Sequence, residues 1–371
     1  MRRWPNATIA LKEGRRVGFE KGHRDGFIKG IKASLGEHAL LVTPGGIPSF
    51  VIAVLQPFRW LRNNGKINFH VSSIPELKKA YIDAADVVIF TRQVQPEEYQ
   101  WLEYCKKARK RTIYVIDDNF LAIPDHTAVG KYYYQPHIRD TFIRFLKNAD
   151  TIVVGSPFFK SYIQSKFNTK VCCLPASFDF DSIAHVSAPE RSDRNPIVIG
   201  YAGTQKDEDF AEVLPALARL LNEYGSRIKI EFFGFAPQQF LDHPLVAVYP
   251  VCNDYNEFLQ RFKSLGWHIG LAPLQGTLFN FCKTNNKFRE YAACGIAGVY
   301  SDVPVYSDWV IHGKNGLLTF NHRDSWYGAI KQLIDEPNLR IYIANEAEKF
   351  VKEAFTMEKN ALSWYELIRE V

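Results

Sequence analysis

From residue 38 onward, short apolar runs alternate with stretches of helical periodicity, and the whole alternation starts afresh near residue 197. The strand candidates of the first series are Ala39–Thr43, 67–71, Val87–Phe90, Thr112–Ile116, Thr151–Val154 and Val171–Leu174. Helical stretches around 49–63, 96–108, 136–148 and 157–166 lie between them. Runs too short for a buried helix, separated by helices, indicate a parallel sheet covered on both faces. A Ser-, Asp-, Pro- and Arg-containing stretch from Phe178 to Pro196 reads as a linker. The second series has strand candidates Ile197–Tyr201, Ile228–Phe233, Val246–Val251, His268–Ala272, Gly298–Tyr300 and Gly316–Phe320, with a helix at 208–223. Three helices, 323–335, 339–354 and 358–370, close the chain. The expected fold is therefore α/β, with two doubly wound Rossmann-like domains facing a cleft and C-terminal helices. The expected boundaries are an N-terminal extension at 1–35, domains at 36–190 and 191–355, and a helix at 356–371 that packs back on the first domain.

Composition removes several classes of function. With 46% hydrophobic and 14% aromatic residues the chain has ample material for two cores and cannot be mainly disordered. No apolar run approaches the roughly 18 residues that a membrane span needs. The start, Met1-Arg2-Arg3-Trp4-Pro5, is basic with no apolar run after it, so no signal peptide is expected. Six cysteines show neither CxxC spacing nor a disulfide framework, which suits a reducing cytoplasm and argues against structural zinc.

The net charge of +6 is unevenly spread. Residues 1–190 hold 27 Lys and Arg against 18 Asp and Glu, a net +9, whereas residues 191–371 hold 19 against 22. A basic first half suits an anionic partner such as a membrane surface, a phosphorylated acceptor or nucleic acid, and equally suits a solvated surface. The run Lys106-Lys107-Ala108-Arg109-Lys110-Arg111 is read as a solvated helix end. Glycines at 14, 18, 22, 26 and 30 would form a small-residue ridge on a helix, a hint of a helix–helix contact and of a homo-oligomer. A flexible basic leader is the competing reading. No nucleic-acid recognition motif is present, so nucleic acid is not an expected partner.

Four places can carry chemistry. The turn Pro44-Gly45-Gly46 after the first strand lets backbone N–H groups approach an anion, although a Gly-Gly turn is also a common tight connection. The turn Gly203-Thr204-Gln205-Lys206 sits where open α/β sheets hold ligands, with Thr204 and Lys206 as donors to phosphate or hydroxyl oxygens. In Cys282-Lys283-Thr284-Asn285-Asn286-Lys287-Phe288-Arg289-Glu290, a helix beginning near Thr284 places Lys283, Lys287 and Glu290 on one side. Two ammonium groups by a helix start suit a diphosphate, and Glu290 can accept from vicinal ribose hydroxyls. A surface Lys–Glu pair has the same spacing. Asp117 and Asp118 end a strand and can orient or deprotonate a hydroxyl, or serve as a cap; His126 follows on a loop, and Tyr132-Tyr133-Tyr134 reads as a packed loop or an acceptor groove.

The run K-x3-K-x2-E-Y-x-A-x-G at 283–295, a short strand, and V-x2-G-x-N-G-L-L at 310–318 resemble the nucleotide-sugar domain of GT-B glycosyltransferases. The similarity is to the family 4 (glycosyl transferases group 1) branch. G-Y-A-G-T-x-K-D-x-D at 200–209 is similar to its donor domain, Pro44-Gly45-Gly46 to its Gly-Gly loop, and Asp117-Asp118 to an Asp-Asp motif of bacterial members. The resemblance implies a donor site of Gly45, Gly46, Gly203, Thr204, Lys206, Phe235, Val251, Lys283, Thr284, Asn286, Lys287 and Glu290. The candidate catalytic residues are then Asp117, Asp118, Lys287 and Glu290, together with His126, which is named only for its place on the loop after the two aspartates and which a solvated or structural role explains equally; neither metal nor cofactor is expected. Glu290 matches the second glutamate of the E-x7-E signature; the first falls on position 282, which is Cys282 here. The implied activity is transfer of a sugar, with retention, from a nucleoside diphosphate sugar to a hydroxyl of a glycan, lipid-linked or protein acceptor, in the cytoplasm or at the inner membrane face. A sugar-nucleotide epimerase and a non-catalytic nucleotide-sugar-binding subunit of an assembly remain alternatives.

Overall fold

The computed structural model describes residues 37–45, 47–189, 196–203, 207–252 and 254–370. The glycine ladder of 1–35 and linker residues 190–195 lie outside the described residues. Two compact units are present. Among the described residues, the first comprises those through Ser177, the tripeptide Cys282–Thr284, and those from Met357 onward; the second comprises those from Phe178 to Phe281 and from Asn285 to Thr356.

In the first unit six parallel strands form one sheet: β1 His38–Thr43, β2 Asn68–Ser73, β3 Val87–Thr91, β4 Arg111–Val115, β5 Thr151–Val154 and β6 Val171–Cys173, in the order β2-β1-β3-β4-β5-β6. Alternation along each strand divides the core between the faces. Leu40, Val42, Val88, Phe90 and Tyr114 pack on one side. Ala39, Leu41, Val87, Ile89 and Ile113 pack on the other, against Phe58 and Trp364.

The helical run after β1 contains a π turn, Val51–Leu55, just before Pro57. Pro57 has no N–H to give the carbonyl four residues back. That carbonyl, Ala53 O, instead accepts from Trp364 Nε1 at 3.0 Å. Arg111 donates to Leu367 O and Ile368 O, each at 2.7 Å, so the C-terminal helix Met357–Arg369 is held at both its middle and its end.

The second unit repeats the plan with β7 Ile197–Ala202, β8 Ile228–Phe233, β9 Val246–Tyr249, β10 Ile269–Ala272, β11 Ala297–Ser301 and β12 Leu317–Thr319, all parallel, in the order β12-β11-β10-β7-β8-β9. All twelve strand candidates are strands, offset at most by a few residues. One face of this sheet is lined by Ile199, Tyr201, Ile230, Phe232, Leu271 and Val299. On the other, Tyr291 lies against Gly270, where a Cβ would come within 2.6 Å of its ring. Only glycine allows that approach, and the Tyr291 hydroxyl then donates to Leu271 O at 2.6 Å. The helix Asn286–Ala293 is thereby pressed flat on β10.

Candidate functional site

In an open parallel sheet the strand order reverses at one point, and the two loops leaving the carboxyl ends there diverge to leave a crevice. In the second unit that point lies between β7 and β10. Gly203 leaves β7, with its N–H on Phe233 O at 2.9 Å. Gly234, after β8, has φ +96°, and a Cβ there would fall 2.6 Å from Gly203 O, so the two loops can be stacked only with glycine. Asp209 bridges the reversal: its Oδ1 accepts from Gln275 N at 2.7 Å and from Asn280 Nδ2 at 3.3 Å. The loop after β10 is further held by Leu274 N donating to Ser301 Oγ at 2.8 Å, and by Asn321 Nδ2 donating to Leu274 O at 2.7 Å.

Beside this crevice the helix Asn286–Ala293 carries Glu290, only 4% exposed. Its two carboxylate oxygens accept from separate donors: Lys287 Nζ on Oε2 at 2.9 Å and the Tyr255 hydroxyl on Oε1 at 3.2 Å. Tyr255 opens the helix Tyr255–Ser264, whose cap Asp254 accepts from Glu257 N at 2.9 Å. Burial, reinforced by the charge of Glu290, holds the Tyr255 phenol well above its ordinary pKa, so it stays a proton donor. The Lys287 ammonium is partly exposed while its partner is buried. Each Glu290 oxygen keeps a second lone pair. The arrangement can bind vicinal hydroxyls through the carboxylate and an anion through the ammonium.

A second cluster occupies the carboxyl edge of the first unit's sheet, whose order reverses between β1 and β3. Arg92, directly after β3, has φ +59°. A non-glycine residue in the left-handed region is strained, and such strain is kept where surrounding contacts fix it. Here the contact is a two-pronged ion pair, Nε and Nη2 of Arg92 to both oxygens of Asp117. Burial works against the Arg92 charge, but Asp117 and Asp118 outweigh it and raise its pKa. Asp118 stands 3.8 Å from Arg92 and 3.5 Å from Lys283 Nζ. Burial raises the Asp118 carboxyl, Lys283 partly offsets this, and the neighbouring Asp117 charge adds to it. Cys282 is fully buried in this unit's core, with Asn119 Nδ2 3.5 Å from its sulfur.

No protein-family model matches the sequence, and no curated protein matches it. Solved structures do. Anabaena HepE, determined with UDP and glucose, is 14% identical and superposes with a TM-score of 0.64 over 90% of this chain and 100% of its own. Sucrose-phosphate synthase from Thermosynechococcus elongatus is 13% identical, with a TM-score of 0.63 over 90% of this chain and 98% of its own. A glycosyltransferase from Rickettsia africae is 12% identical, with a TM-score of 0.63 over 91% and 100%. The fold is GT-B.

Within this GT-B chain the expected site residues sort into three groups. Lys287 and Glu290 come together in the second unit, joined by Tyr255. Asp117, Asp118 and Lys283 come together in the first, joined by Arg92. The helix starts at Asn286, not near Thr284, so Lys283 and Thr284 precede it and do not share a face with Lys287. The physical reason is that residues 282–284 are taken up by the first unit's core and by Asp118. Asn286 accepts from Arg289 at the helix start.

The remaining residues are scattered. Phe235 is buried against Phe210 and Tyr201. Val251 is exposed after β9, and His126 is exposed on its loop. Gly45 N donates to Thr43 Oγ1 at 3.1 Å. Gly46, Thr204 and Lys206 lie outside the described residues. Among the described residues no group of three His, Cys, Asp or Glu side chains is placed to hold a metal, and no helix is long and apolar enough to cross a membrane. Arg92 and Tyr255 were not legible in the sequence, since neither sits in a motif and each is recruited by a carboxylate far along the chain.

Proposed function

We propose that the chain is a glycosyltransferase that moves a sugar from a nucleoside diphosphate sugar, held by the second unit, to a hydroxyl of an acceptor held by the first. The observation that carries this reading is the buried Glu290 with Lys287 and Tyr255 beside the β7/β10 reversal. A buried carboxylate between two donors suits a ribose, and an adjacent partly exposed ammonium suits a departing diphosphate. Anabaena HepE, of the same fold, was determined with UDP-glucose, which supports a uridine nucleotide as the first donor to try. Retention of anomeric configuration and a role in glycan or glycoconjugate synthesis rest on the family resemblance. Asp118 would orient the acceptor hydroxyl, with Asp117 fixing Arg92 beside it.

The test is a thermal-shift screen against UDP-, GDP-, dTDP-, ADP- and CMP-sugars. A ligand at about a hundred times its Kd adds about 2.7 kcal/mol, a visible shift. One nucleotide class should respond, and Glu290→Ala should abolish the response. Absence of response to all five, or an unchanged response in that variant, would refute the donor site.

A further inference from the structure

The Arg92 cluster carries chemistry that the donor site does not use. Asp117 is committed: both its oxygens are held by Arg92. Asp118 is not. Its charge partners stand at 3.5 and 3.8 Å, and no closer donor among the described residues reaches either oxygen. The Asp118 side chain is 26% exposed, so its carboxylate is open to a ligand and has lone pairs left to accept a hydroxyl. Arg92 spends Nε and Nη2 on Asp117, which leaves the Nη1 N–H groups without a hydrogen-bond partner among the described residues.

An aromatic wall stands beside these groups. Phe120 and Tyr133 stack with ring centres 4.2 Å apart and planes 6° apart, and Arg92 lies over Phe120 at 5.1 Å. Tyr133 is half-buried, and its hydroxyl makes no hydrogen bond among the described residues. Burial raises its pKa, so it remains a donor; the charges of Arg92, Asp117 and Asp118 all act on it, which places it in their field. The formal charges of Arg92, Lys283, Asp117 and Asp118 cancel. A phosphate would gain the two cations and meet two carboxylates, whereas a neutral polyol can use donors and acceptors together.

We infer that this edge of the first unit is a subsite for one neutral, hydroxyl-rich ring of a saccharide acceptor. One ring hydroxyl donates to Asp118, neighbouring oxygens accept from Arg92 Nη1 and Lys283, and the C–H face of the ring lies against Tyr133. The inference rests on the reading of the first unit as the acceptor side, and it names the acceptor's class.

The test is saturation-transfer NMR on the full chain, without nucleotide, against neutral trisaccharides (maltotriose, cellotriose, chitotriose and mannotriose). Glycerol 3-phosphate and phosphatidylglycerol vesicles serve as competitors. At least one trisaccharide should show ring-proton transfer, with affinity about tenfold weaker in Asp118→Asn and several-fold weaker in Tyr133→Phe, which keeps the stack. The competitors should not displace it. No transfer from any trisaccharide, transfer unchanged in both variants, or displacement by glycerol 3-phosphate or the vesicles would overturn the inference. The nucleotide screen separates the two readings. A nucleotide response without saccharide binding sinks the acceptor class alone, and saccharide binding without a nucleotide response sinks the transferase.

Discussion

Single residues carry most of the chemistry, and they do so through partners that the sequence does not display. Glu290 and Lys287 were legible because a three-residue step along a helix brings side chains together wherever the helix lies. Their placement in a buried site, with Tyr255 as second donor, depends on tertiary packing. Lys287→Ala should lower turnover about a hundredfold, because an ammonium aimed at a leaving group acts mainly in the transition state. The fold should survive, since the lost contact is worth about 1–3 kcal/mol and Tyr255 remains on Glu290. Initial rates alongside a melting curve check this; normal turnover in that variant would remove Lys287 from the mechanism.

Two buried thiols give a test of packing at the same scale. Burial pushes Cys282 and Cys105 up to about 12. In the unfolded chain these thiols ionise at their ordinary, lower pKa, so above that value the folded state holds more protons than the unfolded one. Their contribution to stability is therefore intact below the ordinary thiol pKa and declines as pH rises from there to about 12. Iodoacetamide at mildly alkaline pH should leave both unmodified in the native protein and label both in urea, read by peptide mass spectrometry. Native labelling of Cys282 would show that the core around it is open.

At the scale of elements, strands were legible and one helix start was not. The strands are short apolar runs between turns, and both faces of each sheet are covered, so hydrophobicity alone marks them. Helical spacing extends without a break from Lys283 to Glu290, yet the helix begins at Asn286. Local periodicity cannot report that Cys282 belongs to another unit's core. The position of that helix depends on Gly270, and Gly270→Ala tests it. A methyl group driven into the Tyr291 ring should cost about 1–3 kcal/mol and shift the helix that bears Lys287 and Glu290. Denaturant melts should show the loss, and titration should show weaker nucleotide-sugar binding. Full stability would mean that the helix has room to move.

At the scale of the whole molecule, the chain passes between units four times where a simple tandem would pass once: residues 282–284 and the segment from Met357 both belong to the first unit. Each unit has its own sheet and its own two apolar faces, so unfolding should not be a single two-state event. The two halves of the fold can then be marked independently. Trp364, fully buried against Phe58 at 5.5 Å, lies in the first unit, and Trp364→Ala should cost that unit about 3–5 kcal/mol. Gly270 lies in the second. Scanning calorimetry should resolve two components, one lowered by Trp364→Ala and the other by Gly270→Ala. A nucleotide sugar that binds at Glu290 must raise the component that Gly270→Ala lowers, because a ligand stabilises only the structure that forms its site. A nucleotide that raised the Trp364-sensitive component instead would move the donor to the first unit and reverse the assignment of the two sites.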